Sequence, residues 1–334
     1  MRLAAILPTA NLWGGVKRFL ELGNRFVALG HHFAIFTPEG HAPAWFSFAG
    51  ETKPFSALGV DEYDAVFCTE PLFVPQLIAS RSRVRIFYHV LRTEDLRPVI
   101  KHPDISIFVN STNLFDFDSR RYHIQPFLAV GGVDASRFRP VHRALTNETV
   151  ILTYGRLSMK RKGTRFVVKA CERLYRKGYN IKLLLFDTPL NAKDRSVAKA
   201  FRADVPFEFI LDYPVEQTNE IFCKADIFAS AEKNAGWANT VAEAMACGLP
   251  VVATASGSKD ILINNTTGLT VWRNAWSVQR GLERLVRDPS LRVSLGANGR
   301  ALIEKYDWDI LAGQILGFVQ NRLGAGLSFH PEPI

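Results

Sequence analysis

Two stretches of this 334-residue chain hold residues whose types and spacing could act on a charged ligand. The first is Tyr154-Gly155-Arg156-Leu157-Ser158-Met159-Lys160-Arg161-Lys162-Gly163. An apolar run leads into a glycine turn, cations cluster after it, and a second glycine precedes a helical pattern. Backbone N–H groups and cations in such a turn cradle a doubly charged diphosphate, although the composition also fits a solvated basic turn. The second stretch is Ala231–Thr254, AEKNAGWANTVAEAMACGLPVVAT. Gly236 lets the backbone approach a ligand closely, Asn239 or Thr240 stands where a helix cap belongs, and Thr240-x-x-Glu243 has capping-box spacing. A helix N-terminus at the end of a parallel strand, here at Asn239 or Thr240, favours an anion through its free N–H groups and dipole. The same spacing serves equally to cap a helix of the core.

Other residues carry weaker signals. His89 ends the apolar run Val84–Val90, at the carboxyl edge where α/β sheets place their sites, and a satisfied buried histidine fits there as well. Glu232 stands in the loop before Gly236, beside Lys233, where a solvated loop charge is the plainer reading. Asp116-Phe117-Asp118 spells a D-x-D of the kind that can hold a divalent metal, but it precedes Ser119-Arg120-Arg121 on an expected helix and reads as helix-surface charge. Arg81, Arg83, Arg85, Arg92, Arg97 and Lys101 surround apolar residues, so this face could dock on anionic lipid at ~1 kcal/mol per cation, or simply be solvated.

These positions need a scaffold, and the chain supplies its grammar twice. Arg2–Pro8 reads as a strand, Gly14-Gly15 as a turn, Val16–Leu29 as an amphipathic helix stopped by Gly30, and Phe33–Thr37 as a second strand. Strand–helix–strand implies parallel pairing with a right-handed crossover. Tyr63–Thr69, Val84–Val90, Ile105–Asn110 and Ile124–Val130 extend that sheet. The Gly/Pro- and Arg-rich stretch Gly131–Arg143 breaks the pattern. The second round has strands at Val150–Tyr154, Ile181–Phe186, Val205–Leu211, Asp226–Ser230 and Pro250–Thr254, with helices at Gly163–Lys177 and Thr240–Cys247. Ala275–Leu323 is helical by periodicity, its last helix opening at Trp308. The expected division is 1–140, 141–305 and a C-terminal helix and tail at 306–334. Two doubly wound domains would face a central cleft, with the C-terminal helix returning to the first.

Composition agrees with two globular cores: 47% hydrophobic, 22% charged. Cys68, Cys171, Cys223 and Cys247 are scattered, without disulfide or zinc spacing, as suits a reducing compartment. The first apolar run is too short for a signal peptide, and none approaches the ~18 residues of a membrane span. The net charge of +9 suits anionic partners; residues 1–140 hold 15 Lys/Arg against 13 Asp/Glu, so the excess lies mainly in the second half. No nucleic-acid-binding pattern accompanies the charge, and no nucleic-acid partner is expected.

Glu243-Ala244-Met245-Ala246-Cys247-Gly248-x-Pro250-Val251 resembles the second half of the E-x7-E signature of the GT4 family of retaining glycosyltransferases. The resemblance implies that Glu243 bonds the nucleotide ribose and that the backbone of Asn239–Val241 receives phosphate. The first glutamate of the signature would fall at Ala235, which leaves three alternatives: Glu232 takes over, the donor sugar needs no such contact, or the activity is impaired. The loop from Gly155 resembles the family's GRL…KG turn, implying that Arg156 and Lys162, with Arg161 as competitor, neutralise the leaving diphosphate. Gly14-Gly15 resembles the loop that approaches donor phosphate and acceptor. Gly131-Gly132-Val133-Asp134-x-x-x-Phe138-x-Pro140, Ser256–Asp260 with Gly268-Leu269, and Trp308 match further family positions in order, and His89 corresponds to a histidine near the donor sugar.

The resemblance thus implies the GT-B fold and metal-independent, retaining transfer from a nucleotide diphosphate sugar to a glycan or lipid-linked acceptor, with no cofactor. The expected setting is bacterial surface-polysaccharide or glycoconjugate assembly, in the cytoplasm or peripheral on the inner membrane face. The alternatives are a catalytically silent nucleotide-sugar-binding or partner protein, and another GT-B enzyme such as a sugar-nucleotide epimerase.

Overall fold

The structure is a computed structural model that describes residues 1–140 and 147–324; the part of the expected linker at 141–146, including Arg143, and the tail beyond 324 lie outside the described residues. The chain divides into two compact units. The first contains Met1–Asn110, Leu114–Val130 and the segment from Trp308, and the second contains Ser111–Asn113 and Gly131–Asp307.

The first unit is built on β1 (Arg2–Ile6), α1 (Gly14–Ala28), β2 (His32–Thr37), β3 (Glu51–Pro54), β4 (Glu62–Cys68), α2 (Val74–Ala79), β5 (Arg81–His89), α3 (Arg97–Ile100), β6 (Ile105–Val109), α4 (Thr112–Tyr122) and β7 (Phe127–Leu128). Its parallel sheet has the order β3-β2-β1-β4-β5-β6-β7. Successive strand residues point to opposite faces, and both faces are covered, which is why the strands read as continuous apolar runs. Leu3, Ala5, Ile86 and Tyr88 meet Phe19, Leu20 and Phe26 on one face. Ala4, Ile6 and Phe87 meet Leu77, Leu96 and Val99 on the other. Gly14 and Gly15 are not a turn: they open α1, whose N-cap is Trp13.

The second unit repeats the winding with β8 (Thr149–Tyr154), α5 (Thr164–Arg176), β9 (Ile181–Asp187), α6 (Ala192–Lys199), β10 (Phe207–Leu211), α7 (Asn219–Phe222), β11 (Ile227–Ser230), α8 (Asn239–Ala246), β12 (Val251–Ala253), β13 (Leu269–Thr270), α9 (Ala275–Arg287) and α10 (Pro289–Ile303). The order β10-β9-β8-β11-β12-β13 places the reversal between β8 and β11. Open α/β sheets bind ligands outside the carboxyl ends of such a strand pair.

The segment from Gly131 to Pro140 belongs with the second unit, not with the first as the 1–140 division had it. Several of its backbone groups are bonded there: Arg300 donates to the carbonyls of Ala135 and Phe138, and to that of Ala246 at the end of α8. The amides of Gly132 and Val133 donate to Tyr306 O, and that of Ala135 to Asp307. α11 (Trp308–Gly324) packs in the core of the first unit through Trp308, Leu311, Ile315 and Val319. Among the described residues no helix is long and apolar enough to cross a membrane.

Candidate active site

The two stretches singled out by their chemistry meet at the β8/β11 reversal. β8 hands the chain to Gly155, whose amide donates to Phe186 O at 2.8 Å. A Cβ on Gly155 would stand 2.6 Å from the Phe209 ring, so a side chain there would force the ring or the turn to move. Arg156 follows and is buried. Its Nε donates to both oxygens of Asp187, at 2.7 and 2.9 Å, and its Nη2 to Thr188 O at 2.7 Å. Burial raises the Asp187 carboxyl pKa, and the Arg156 charge works against that rise. The expected diphosphate ligand Arg156 is therefore tied to the end of β9 by Nε and Nη2.

Lys160–Lys162 make one short 3₁₀ turn, and Gly163 follows at φ 71°. A Cβ on Gly163 would stand 2.0 Å from Ala231 O, closer than atoms can approach, so only glycine fits. This close approach brings the basic turn onto the loop after β11. Lys162 Nζ donates to Glu232 Oε1 at 2.6 Å, and Arg161 Nη1 reaches the same oxygen at 3.3 Å. Glu232 is only 5% exposed, and its carbonyl accepts from Thr254 Oγ1 at 2.6 Å. The solvated-loop reading of Glu232 is corrected: it is a buried carboxylate between two cations. Arg273 ties the two loops together, donating to Ala231 O at 2.9 Å and to Lys160 O at 2.6 Å.

The loop that carries Glu232 runs on through Trp237 and Ala238 into α8. The N-cap of α8 is Ala238, with no side-chain cap hydrogen bond. The expected caps are overturned: Asn239 and Thr240 already lie inside the helix, because the Ala238 amide is held by Gly257 O at 2.8 Å and fixes the entry one residue earlier. Val241 completes the first turn, and Glu243 is buried in the next. In the preceding loop Asn234 takes the left-handed conformation (φ 59°), two residues before Gly236. Ala235 donates its amide to Ser256 Oγ at 3.0 Å.

Gly14, Gly15 and His89 belong to the first unit. A Cβ on Gly15 would make an ordinary contact with Val90 at 3.7 Å. His89, at the carboxyl end of β5, is fully buried. Its Nδ1 lies 2.7 Å from Asp118 Oδ2 and its Nε2 2.8 Å from Leu91 O, so both ring nitrogens are engaged. Asp118 is fully buried too, which corrects its reading as helix-surface charge. Glu94 Oε2 lies 3.8 Å from His89 Nε2 and has no hydrogen-bond partner. Desolvation, then the charges of Glu70 and Asp118, push the Glu94 carboxyl up to about 9. Among the described residues no group of three or more His, Cys, Asp or Glu is arranged to hold a metal.

The basic segment around β5 is matched by acids. Arg81 pairs with Glu62, Arg83 with Asp64 at 3.7 Å, Arg85 with Asp104 at 2.8 Å and Arg97 with Asp95 at 2.7 Å. Arg92 lies over the Phe117 ring.

Asp187 and Arg273 are the site residues that sequence reasoning missed. Asp187 had a signal, since a lone carboxylate closes the apolar run Ile181–Phe186 at a carboxyl strand edge. Arg273 had none, because its carbonyl partners lie 42 and 113 residues away.

Two Rossmann-like parallel-sheet units, the second carrying a basic turn and a helix N-terminus without a side-chain cap at its topological reversal, define the GT-B class of α/β proteins. The chain belongs to the family described as Glycosyl transferases group 1, which matches residues 134–302. It is 26% identical over 176 residues to the capsular polysaccharide biosynthesis glycosyltransferase CapM of Staphylococcus aureus, a match covering 52% of this chain and 46% of that one. It is 25% identical over 250 residues to the GDP-mannose-dependent monoacylated alpha-(1-6)-phosphatidylinositol monomannoside mannosyltransferase of Corynebacterium glutamicum, covering 69% and 65%. The matches thus span from about half to two thirds of the length of these relatives. Among solved structures, the sucrose-phosphate synthase of Thermosynechococcus elongatus shares the fold with a TM-score of 0.79 at 19% identity, covering 98% of this chain and 100% of that one. Anabaena HepE, solved in complex with UDP-glucose, shares it with a TM-score of 0.71 at 14% identity, covering 96% and 100%.

Proposed function

We propose that this chain is a retaining glycosyltransferase that moves a sugar from a nucleotide diphosphate sugar to a glycan or lipid-linked acceptor, without a metal. The observation that carries the reading is the meeting of Lys162 and Arg161 with Glu232 on the loop that leads from β11 into α8. The bond from the sugar to the diphosphate breaks with its electron pair on the leaving phosphate, and preorganised donors must be aimed at that charge. Lys162, Arg161 and the first N–H groups of α8 are such donors, and Glu243 is assigned to the ribose. Diphosphate competes with Glu232 for Lys162, and the released carboxylate is then free to meet a sugar hydroxyl. Arg156, held by Asp187, acts by shaping the turn and adding positive potential. His89, in the first unit, is assigned to the donor-sugar side, where it orders the backbone at Leu91.

The relatives named for capsular polysaccharide and phosphatidylinositol-linked mannose support a setting in cell-surface glycan or glycolipid assembly, which we assign to the cytoplasmic side of the membrane. HepE, solved with UDP-glucose, supports a nucleotide sugar as donor. Transfer and hydrolysis measured over a panel of UDP- and GDP-sugars, with and without EDTA, test the proposal. No turnover of any donor, or turnover that vanishes with EDTA and returns with Mn²⁺, would overturn it. Ala235 favours a second reading, a silent nucleotide-sugar-binding protein, because the signature carboxylate is absent there. Tight nucleotide binding without turnover, with activity gained in Ala235→Glu, would select it.

A further inference from the structure

α5 and α9 lie side by side over one face of the second sheet, burying Val167, Cys171 and Leu174 of one and Val278, Leu282 and Leu285 of the other. They run in the same direction. Arg273, just before α9, lies over the Phe166 ring at the start of α5, and Lys177, at the end of α5, is paired with Glu283 of α9. Their outward faces repeat one spacing. Arg165, Lys169, Arg173 and Arg176 on α5, and Trp276, Arg280, Arg284 and Arg287 on α9, fall at i, i+4, i+8 and i+11 and are all exposed. With the C-cap residues Lys177 and Asp288 included, the pair presents eight exposed cations against three carboxylates, the half-buried Glu172 and Glu283 and the exposed Asp288. That excess of five is more than half of the net charge of the whole chain, +9. At the amino-terminal end of the pair stand the two most exposed tryptophans, Trp272 at 80% and Trp276 at 58%, with Arg280 lying over the Trp276 ring.

We infer that the α5/α9 face of the second unit docks on a bilayer surface that contains anionic lipid. A flat pair of helices with long cations along it and indoles at one end matches the headgroup layer on both counts. The cations meet lipid phosphates, and the indoles sit at the boundary between headgroup and acyl chain. A nucleic-acid duplex would satisfy the cations but leave two exposed indoles facing its phosphates. The arginines around β5 make a weaker surface, because each of Arg81, Arg83, Arg85 and Arg97 already has a carboxylate. The inference does not depend on the proposed transfer reaction.

Sedimentation of the full chain with phosphatidylcholine vesicles, and with the same vesicles containing about one part in three phosphatidylglycerol, tests it. The parent is expected to bind the anionic vesicles and to be released by salt. Each exposed cation neutralised should weaken partitioning about 5-fold. Arg173→Glu with Arg176→Glu, Arg280→Glu and Arg284→Glu in one chain should therefore lose more than about 100-fold. Arg176→Gln with Arg280→Gln gives a milder variant if four reversals impair folding. Trp272→Ser with Trp276→Ser should lose about 10-fold or more at unchanged net charge, while Arg81→Glu with Arg83→Glu should bind like the parent. A parent that ignores phosphatidylglycerol, or helix variants that partition like the parent, would overturn the inference. A short DNA duplex bound more tightly than the vesicles, with the tryptophan variant unimpaired on the vesicles, would replace the membrane by nucleic acid.

Discussion

Lys162 and Glu232, 70 residues apart in the chain, form a 2.6 Å ion pair that closes the basic turn after β8 onto the loop after β11. A carboxylate with so little exposure is retained beside a cation at a cost in desolvation, and breaking such a pair leaves a buried charge uncompensated.

The pair is expected to couple in function. Lys162→Ala should lower turnover about 100-fold or more, the loss typical of one positioned electrostatic contact. Glu232→Gln should slow turnover by a similar factor while tightening the nucleotide diphosphate slightly, since Lys162 no longer shares its charge. The double variant should be far less impaired than the product of the two single losses. A fully multiplicative double variant, measured by steady-state rates and calorimetry, would show that the residues act independently.

Gly163→Ala is expected to lose roughly 2–4 kcal/mol of stability, combining a left-handed backbone with a collision against Ala231 O. Thermal unfolding checks the first effect. Nucleotide affinity should fall with it, because the turn and the Glu232 loop can no longer meet. A normal Tm with normal affinity would mean that the turn relaxes without harm.

Arg273→Lys keeps the charge but not the fork that reaches two carbonyls. Turnover should fall about 10-fold, while Tm changes little and Kd for the nucleotide rises only a few-fold, if Arg273 positions Lys162 and Glu232 in the way that guanidinium geometry allows. Equal losses in Tm and turnover would indicate a purely structural clamp.

Glu243→Ala should weaken nucleotide binding by roughly 1.5–3 kcal/mol, the cost of losing a charged hydrogen-bond acceptor. Calorimetry on the folded variant decides the matter, and an unchanged Kd removes Glu243 from the ribose.

The Glu94 carboxyl makes stability depend on pH. Its folded pKa, about 9, stands above its ordinary value of 4.5, so the folded protein keeps a proton that the unfolded chain releases between those limits. This contribution is fully present below the unfolded pKa and is lost as pH rises toward the folded one. Glu94→Gln removes the dependence and should stabilise by about 1–3 kcal/mol near pH 8, with little effect near pH 4. Equal Tm differences at both pH values would show that Glu94 is ionised in the folded state.

The doubly wound fold was legible because both faces of each sheet are covered, so most strands appear as apolar runs such as Arg2–Pro8 and Val150–Tyr154. β3 escaped notice because Glu51-Thr52-Lys53-Pro54 is a polar edge strand with little burial to pattern it. β13 is only two residues long. The charged loop near Gly155 and the loop after β11 stood out by composition, but their contact is a tertiary fact that spacing does not encode. Asp118 shows the limit most clearly. Beside Ser119-Arg120-Arg121 it looks like a surface charge, and only the fold brings it to His89, 29 residues back. The capping-box spacing of Thr240 and Glu243 misled for a similar reason, since a carbonyl from Gly257 fixes where α8 begins.

The packing of α11 has a consequence for the order in which the molecule is completed during synthesis. The second unit runs almost without interruption from Gly131 to Asp307, so it can close its core as soon as α10 has left the ribosome. The first unit cannot. Its strands emerge earliest, yet the apolar surface of Leu3, Ile86 and Tyr88 shares its cover with Trp308, Leu311 and Ile315, which are translated after everything in the second unit. Of the two sheets, the one made first is therefore the last to be sealed.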